Sequence, residues 1–194
     1  TRSTPGTVTY YAATVNDLTG CESSTRTAVT LTITAVPAAS ITATGPTTFC
    51  AGNGVLLAAS TGSSYSWSTG ATTGSILVST SGSYTVTVIN NGCVSTSSPI
   101  AVTVNPNPSA AVTASGPLAF CAGSVVTLFA PTGNSYSWSN GSTAQSITVN
   151  NSGSYTVTVT NSFGCTATSS SSVVAVSPNP VVTLTAAPYQ NLYP

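Results

Sequence analysis

The chain has almost no charge. Among its 194 residues there are two basic and two acidic side chains and no histidine. The four charged residues are Arg2, Asp17, Glu22 and Arg26. General acid–base catalysis needs a carboxylate, an imidazole or an amine beside the substrate. The sequence after Arg26 therefore offers no candidate catalytic residue, and we expect that the protein is not an enzyme.

Other classes of site are excluded by what the sequence lacks. Its five cysteines are far apart and form no CxxC pair, so no group has the spacing of metal ligands, and we expect neither a metal nor another cofactor. Two arginines cannot supply the basic surface that nucleic acid requires. No apolar run reaches the 18 residues of a transmembrane helix, which predicts no membrane span in this segment.

The residues that are present favour β-structure. Apolar residues alternate with Ser and Thr in short runs, and Gly, Pro, Asn and Ser separate these runs, as is typical of an antiparallel β-sandwich. No helix is expected. The first complete copy of the repeat described below is predicted to contain strands near Ser40–Thr44, Val55–Ala59, Ser64–Ser68, Ser75–Ser79, Ser83–Ile89 and Ile100–Val104.

Most of the sequence is a repeat. The segment Gly45–Gly52 returns 71 positions later as Gly116–Gly123, and Ser81–Val88 returns as Ser152–Val159. One extra residue before Cys165 then lengthens the offset to 72. The predicted domains are the C-terminal part of a preceding repeat at 1–36, complete repeats at 37–106 and 107–178, and the first strand of a following repeat, or a linker, at 179–194.

Comparison of the two copies predicts which side chains face the core. Leu56 and Ala58 become Thr127 and Phe129 in the second copy. The alternate positions are unchanged, since Val55, Leu57 and Ala59 return as Val126, Leu128 and Ala130, so this second set is predicted to face inward. Tryptophan is the expected central filler. The predicted core comprises Val55, Leu57, Ala59, Trp67, Ile76, Val78, Tyr84, Val86, Val88, Val102 and Val104, with Val126, Leu128, Ala130 and Trp138 in the second copy. Thr85, Thr87 and Thr103 are predicted to point outward.

The cysteines recur with the repeat. Cys50 precedes the strand at Val55–Ala59, and Cys93 follows the strand at Ser83–Ile89. We expect Cys50 to pair with Cys93 and Cys121 with Cys165, each pair clamping one end of its sandwich, and the alternative is a set of free buried thiols. Cys21 aligns with Cys93 and Cys165 and is expected to be unpaired within this segment. Paired cysteines would place the protein in an oxidising compartment.

The motifs Thr-Phe-Cys-Ala-Gly, Ser-Tyr-Ser-Trp-Ser, Ser-Gly-Ser-Tyr-Thr-Val-Thr-Val and Gly-Cys resemble immunoglobulin-like and PKD-like repeats of giant Bacteroidetes cell-surface proteins. Such repeats occur in gliding-motility adhesins and other proteins exported by the type IX secretion system, and as spacers beside catalytic domains. The resemblance implies an all-β fold of tandem immunoglobulin-like antiparallel β-sandwiches in an extended array. It also implies an extracellular location at the cell surface, and it assigns no binding residue.

Several functions are compatible with these patterns. The first is a structural or adhesive segment, a rigid stalk or filament building block whose partners are neighbouring repeats of the same protein. Self-association into fibres is a second, since an uncharged surface has little electrostatic repulsion. Carbohydrate-binding or spacer modules attached to a secreted enzyme are the alternative. Outward threonine pairs such as Thr85/Thr87 and Thr156/Thr158 suggest ice binding as a further possible function. The aromatic residues that would stack on surface glycans are Tyr65, Phe129, Tyr136, Tyr189 and Tyr193.

Overall fold

The computed structural model describes residues 4–184. Within that range the chain forms twenty β-strands and no helix. In chain order the strands are β1 (Gly6–Ala12), β2 (Thr27–Ile33), β3 (Ile41–Ala43), β4 (Thr48–Cys50), β5 (Val55–Ala59), β6 (Ser64–Trp67), β7 (Ser75–Val78), β8 (Gly82–Tyr84), β9 (Val86–Asn90), β10 (Cys93–Thr96), β11 (Ile100–Asn105), β12 (Thr113–Ala114), β13 (Ala119–Cys121), β14 (Val126–Phe129), β15 (Ser135–Trp138), β16 (Ser146–Val149), β17 (Gly153–Tyr155), β18 (Val157–Thr160), β19 (Thr166–Thr168) and β20 (Ser172–Ser177).

The chain divides into two compact units, Thr1–Val104 and Asn105–Pro194. Unit 1 contains one complete sandwich, built from three three-stranded sheets with the strand orders β3-β5-β7, β10-β9-β6 and β4-β11-β8. The sheet β3-β5-β7 is antiparallel throughout. Strand β9 is antiparallel to both of its neighbours, and β8 is antiparallel to β11. These features confirm the prediction of an all-β, immunoglobulin-like antiparallel sandwich.

The strand predicted over Ser83–Ile89 is divided at Thr85. Its first part, β8, pairs with β11, and its second part, β9, pairs with β6 and β10. At the break, the backbone N–H of Ser68 donates to the carbonyl oxygen of Thr85 (2.9 Å), and the N–H of Thr85 donates to the Ser68 hydroxyl (3.2 Å). The chain thus moves from one sheet to another without leaving its backbone polar groups unpaired.

The core of unit 1 lies between these sheets. Leu57, Val86 and Val88 are fully buried, and Trp67 and Val55 are 3% exposed. Every residue predicted for the unit 1 core is either buried or packed against the buried cluster, with Ala59 and Val104 at its edge. The alternation of inward and outward side chains along each strand explains this agreement, because one face of each sheet meets the core and the other meets solvent.

Tyr84, at the end of strand β8, forms a hydrogen bond to the corner of the chain that precedes the strand. Its hydroxyl donates to the carbonyl oxygen of Thr80 (2.9 Å), and its ring is 7% exposed. In unit 2, the Tyr155 hydroxyl makes the equivalent bond to the carbonyl oxygen of Asn151 (3.1 Å). In both units the tyrosine therefore fixes the corner of the chain that precedes its strand, β8 in unit 1 and β17 in unit 2.

Ser97 is a buried polar residue that completes the junction beside β9. The backbone N–H of Val86 donates to its Oγ (3.1 Å), and the N–H of Ser97 donates to the carbonyl oxygen of Val86 (2.9 Å). The Ser97→Ala variant leaves the N–H of fully buried Val86 without a partner, so we expect a loss of about 1 to 3 kcal/mol of unfolding free energy. Thermal unfolding checks this value, and an unchanged midpoint would contradict the assigned role.

The first strands of unit 1 form a separate hairpin. Strands β1 and β2 are antiparallel, with Tyr10 opposite Val29 and Val8 opposite Leu31. Because side chains alternate along a strand, these four residues share one apolar face, and Thr9 and Thr30 lie on the other. Tyr10, Val29 and Leu31 are each more than half exposed. The hairpin thus presents an apolar face to solvent.

Unit 2 repeats the sandwich with the sheet orders β12-β14-β16, β13-β20-β17 and β15-β18-β19. Leu128, Val157 and Val159 are fully buried, and Trp138 is 3% exposed, so the core predicted from the second copy is confirmed. Residues 181–184 form no strand. The remainder of the segment predicted to be a following strand or a linker lies outside the described residues.

Candidate functional site

The cysteines of unit 2 lie at opposite ends of its sandwich. Strand β13 runs parallel to β20, and Cys121 at the end of β13 is opposite Ser177 at the end of β20. Cys121 thus lies at the downstream end of the sandwich, where its last strand finishes. Strand β17 runs antiparallel to β20, and β18 continues from it, so Cys165, which follows β18, lies at the other end.

Residues that lead into the sandwich surround Cys165 at this upstream end. The Cys165 Sγ lies 4.0 Å from the carbonyl oxygen of Asn105, and the Cys165 N–H donates to Asn161 Oδ1 (3.0 Å). The side-chain amide of Asn161 donates in turn to the carbonyl oxygen of Pro106 (2.8 Å). Cys165 is fully buried. These contacts fix the sulfur beside the incoming chain.

Unit 1 has the same arrangement. At its upstream end the Cys93 Sγ lies 2.9 Å from Thr34 Oγ1 and 3.9 Å from the Thr34 carbonyl oxygen. Thr34 and Asn105 are 71 positions apart, which is the offset of the repeat, so they are equivalent positions. Cys50 ends β4, which neighbours β11 in its sheet as β13 neighbours β20 in unit 2. Each sandwich therefore carries one cysteine at its upstream end and one at its downstream end.

The structure forms neither predicted disulfide. Cys93 and Cys121 are free thiols, so Cys50 does not pair with Cys93, and Cys121 does not pair with Cys165. Cys50 and Cys165 are disulfide-bonded. Cys21, expected to be unpaired within the segment, is free and exposed.

The predicted disulfides do not form because of the direction in which the strands run. The strand after Cys50 and the strand before Cys93 belong to different sheets but run the same way along the sandwich, so the start of one and the end of the other are at opposite ends. The pairing prediction placed both cysteines at one end. The direction of the strands in an immunoglobulin-like sandwich would have placed Cys50 and Cys93 at opposite ends.

Of the three described aromatic residues predicted for glycan stacking, two are part of the framework. Tyr65 and Tyr136 pack against the two cores, and their hydroxyls donate to the carbonyl oxygens of Gly62 (3.1 Å) and Gly133 (3.2 Å). These tyrosine rings are partly buried and contribute to core packing. Phe129 is 43% exposed. Tyr189 and Tyr193 lie outside the described residues.

One threonine of each predicted pair, Thr87 and Thr158, is hydrogen-bonded to a threonine on the neighbouring strand. Thr87 Oγ1 is 2.9 Å from Thr96 Oγ1, and Thr158 Oγ1 is 2.9 Å from Thr168 Oγ1. Cross-strand hydroxyl bonds of this kind stabilise a sheet. They also occupy hydroxyl groups that an ice-binding surface would present to water.

The remaining candidates for a functional site in residues 4–184 are a metal cluster, an ion pair and a surface groove. Residues 4–184 contain no cluster of three or more His, Cys, Asp or Glu side chains that could hold a metal ion. Arg26 and Glu22 form an exposed ion pair at 3.3 Å. An open groove of about 430 Å³ beside Tyr84 is lined by uncharged residues such as Thr69, Thr73 and Ile76. No helix in this range is long and apolar enough to cross a membrane.

Comparison with known proteins adds two distant structural similarities. The crystal structure of murine CEACAM1b matches with 14% sequence identity and a TM-score of 0.34, covering 72% of this chain and 100% of that chain. The structure of a mouse coronavirus receptor-binding domain complexed with its murine receptor matches with 13% identity and a TM-score of 0.36, with the same coverage of both chains. No family model and no curated protein matches the sequence.

Proposed function

We propose that the chain is a structural or adhesive repeat segment of an extracellular bacterial surface protein, in which immunoglobulin-like modules act as a rigid stalk or filament. One observation carries this proposal: both units build the same core and place a cysteine at each end, while the charged side chains are confined to positions before the first sandwich. What the repeat preserves is a framework with two ends, and no charged side chain lies within either sandwich.

The disulfide chemistry supports an oxidising location. Cys50 and Cys165 are disulfide-bonded, and structural disulfides persist in extracellular and periplasmic compartments, whereas cytosolic thiols stay reduced. The resemblance to repeats of Bacteroidetes surface proteins agrees with this location. The absence of charged residues after Arg26 supports a role other than enzyme catalysis.

Immunolabelling of the source cells tests the proposal. An antibody raised against the folded chain is expected to label intact cells, and protease treatment of intact cells should remove the label. A cytosolic protein of the same cells, probed in parallel, should be labelled only after lysis. If the chain is also detected only after lysis, the surface role is wrong.

The exposed hairpin face favours self-association as a second function. Tyr10, Val29 and Leu31 form an apolar patch, and the almost uncharged surface provides little repulsion between two copies. We propose that, in a chain of these 194 residues, a second copy covers the hairpin face, which the other strands of the preceding repeat would cover in a longer protein.

Sedimentation of the full chain over a range of concentrations tests this contact. The average mass is expected to rise with concentration, and the double variant Val29→Ser, Leu31→Ser should remain monomeric at concentrations where the parent associates. Leu77→Ser is the matched control, because Leu77 is 74% exposed on a different strand of unit 1. Equal association of all three proteins would refute the hairpin contact.

Carbohydrate binding retains one exposed candidate among the described residues, Phe129, although its counterpart in the other copy is Ala58. Saturable glycan binding that is lost in Phe129→Ala would support this alternative. An array without any bound glycan would leave the structural role as the better account.

A further inference from the structure

The two upstream-end cysteines occupy equivalent positions beside the incoming chain but differ in chemical state. In unit 1 the Cys93 sulfur lies 3.9 Å from the carbonyl oxygen of Thr34, and in unit 2 the Cys165 sulfur lies 4.0 Å from that of Asn105. Thr34 and Asn105 are equivalent positions of the repeat. Nevertheless Cys165 is disulfide-bonded and Cys93 is a free thiol.

The downstream-end cysteines show the same contrast. The carbonyl oxygen of Cys50 accepts a hydrogen bond from the N–H of Asn53, and that of Cys121 accepts one from the N–H of Ser124, both at 3.2 Å. The intervening glycines, Gly52 and Gly123, have φ angles of 94° and 93°. The local turn is thus the same in both units, while Cys50 is disulfide-bonded and Cys121 is free and exposed.

We propose that Cys121 forms a disulfide with the upstream-end cysteine of a following module, and that Cys93 forms one with the downstream-end cysteine of a preceding module. This inference rests on the proposed function, since it requires modules of the same type joined end to end. Its basis is that each free thiol occupies a position whose counterpart in the other unit is bonded, and that the two positions lie at opposite ends of a sandwich. The partner is a cysteine of another immunoglobulin-like module.

Formation of each bond is an ordinary thiol–disulfide exchange. Two thiols lose two protons and two electrons to give one S–S bond, and a disulfide oxidant of the extracellular or periplasmic compartment takes them up and becomes a dithiol. The exposure of Cys121 gives such an oxidant access to its sulfur. The resulting bonds would tie successive modules at their ends and leave each module's interior free of cross-links.

The direct test lengthens the full chain by one module. A further copy of residues 107–178 is inserted after residue 178, and its peptides are made distinguishable by Val125→Ile and Phe163→Tyr in the copy, both at exposed positions. The protein is produced under oxidising conditions, its free thiols are alkylated, and its disulfides are mapped by mass spectrometry without reduction. In the parent chain Cys121 should be fully alkylated.

In the lengthened chain we expect Cys121 to be protected from alkylation and linked to the counterpart of Cys165 in the inserted copy. The downstream-end cysteine of the inserted copy should become the alkylated one, so that the free thiol moves by one module. A control copy in which the Cys165 counterpart is replaced by Ser should leave Cys121 alkylated. Cys121 that stays alkylated beside a correctly folded copy, or that bonds to Cys165 of its own unit, would overturn the proposal.

Amide hydrogen exchange in the tagged peptides shows whether the inserted copy has folded. If it has not, a second variant carries a further copy of residues 36–106 inserted after residue 35, with mass tags at the exposed residues Leu56 and Val94. There the original Cys93 should bond to the inserted Cys50 counterpart, and an alkylated Cys93 would refute the inference. Surface labelling of the source cells is independent of both outcomes, so failure of the cross-link leaves the proposed function intact.

Discussion

The Leu57→Ala variant is expected to lower the unfolding free energy of unit 1 by about 3 to 5 kcal/mol. Leu57 is fully buried at the centre of strand β5, paired with Ala43 on one side and Ile76 on the other. Truncation removes the burial of its methyl groups and leaves a cavity that a β-sandwich cannot readily collapse to fill. Because small domains are stable by only about 5 to 15 kcal/mol, much of the margin is lost.

Urea unfolding combined with amide hydrogen exchange measures this loss in each unit separately. Unit 2 should keep its protection, since its buried cluster shares no residue with that of unit 1. Leu56→Ala is the matched control on the same strand: Leu56 is 39% exposed, and its truncation is expected to cost less than about 1 kcal/mol. Equal losses for both variants would show that the assignment of inward and outward faces is wrong.

Trp67→Ala is expected to have a comparably large effect, about 3 to 5 kcal/mol. The indole is 3% exposed, and its Nε1–H donates to the carbonyl oxygen of Thr73 (2.7 Å), so the variant removes both the largest core side chain and a bond that holds the following loop. Loss of cooperative unfolding in unit 1, monitored by near-UV circular dichroism and amide exchange, checks this prediction.

Trp67→Phe separates the packing contribution from the hydrogen bond. It keeps most of the apolar surface and loses the donor, so its cost should lie well below that of Trp67→Ala. The same pair of variants at Trp138, whose Nε1–H donates to the carbonyl oxygen of Ala144 (2.8 Å), should reproduce the difference in unit 2. Trp67→Ala that unfolds at the parent's urea concentration would contradict the central role of the indole.

The core could be predicted from the sequence because the repeat supplies an internal comparison. Leu56 becomes Thr127 in the second copy, whereas Leu57 remains leucine as Leu128, and only the second position is buried. Tyr65 lies two residues before Trp67, so alternation places both side chains on one face, and the Tyr65 ring packs against the core. Alternation with a period of two identifies the inward face of a strand independently of the loop conformations.

The short edge strands and the change of sheet could not be predicted in the same way. Strand β4 has three residues and β10 has four, lengths at which alternation gives too few positions to identify a strand. The break at Thr85 interrupts a run that alternates without fault from Ser83 to Ile89. It depends on hydrogen bonds that the N–H groups of Thr85 and Val86 donate to the hydroxyls of Ser68 and Ser97, two residues distant in sequence.

The prediction of the cysteine pairing was wrong for a topological reason. A sequence pattern places Cys50 before one strand and Cys93 after another, but their separation in space depends on the direction in which those strands run. The structure sets the two sulfurs at opposite ends, with Cys93 beside Thr34 and Cys50 at the end of β4. The four cysteines of the sandwiches therefore mark the two ends of each sandwich.

Differential alkylation of the full chain tests this arrangement most directly. Free thiols are labelled with a light reagent before reduction, and those released by reduction are labelled with a heavy one. We predict the light label on Cys21, Cys93 and Cys121 and the heavy label on Cys50 and Cys165. Heavy label on all four cysteines of the two sandwiches, with disulfide-linked peptides joining Cys50 to Cys93 and Cys121 to Cys165, would contradict the account.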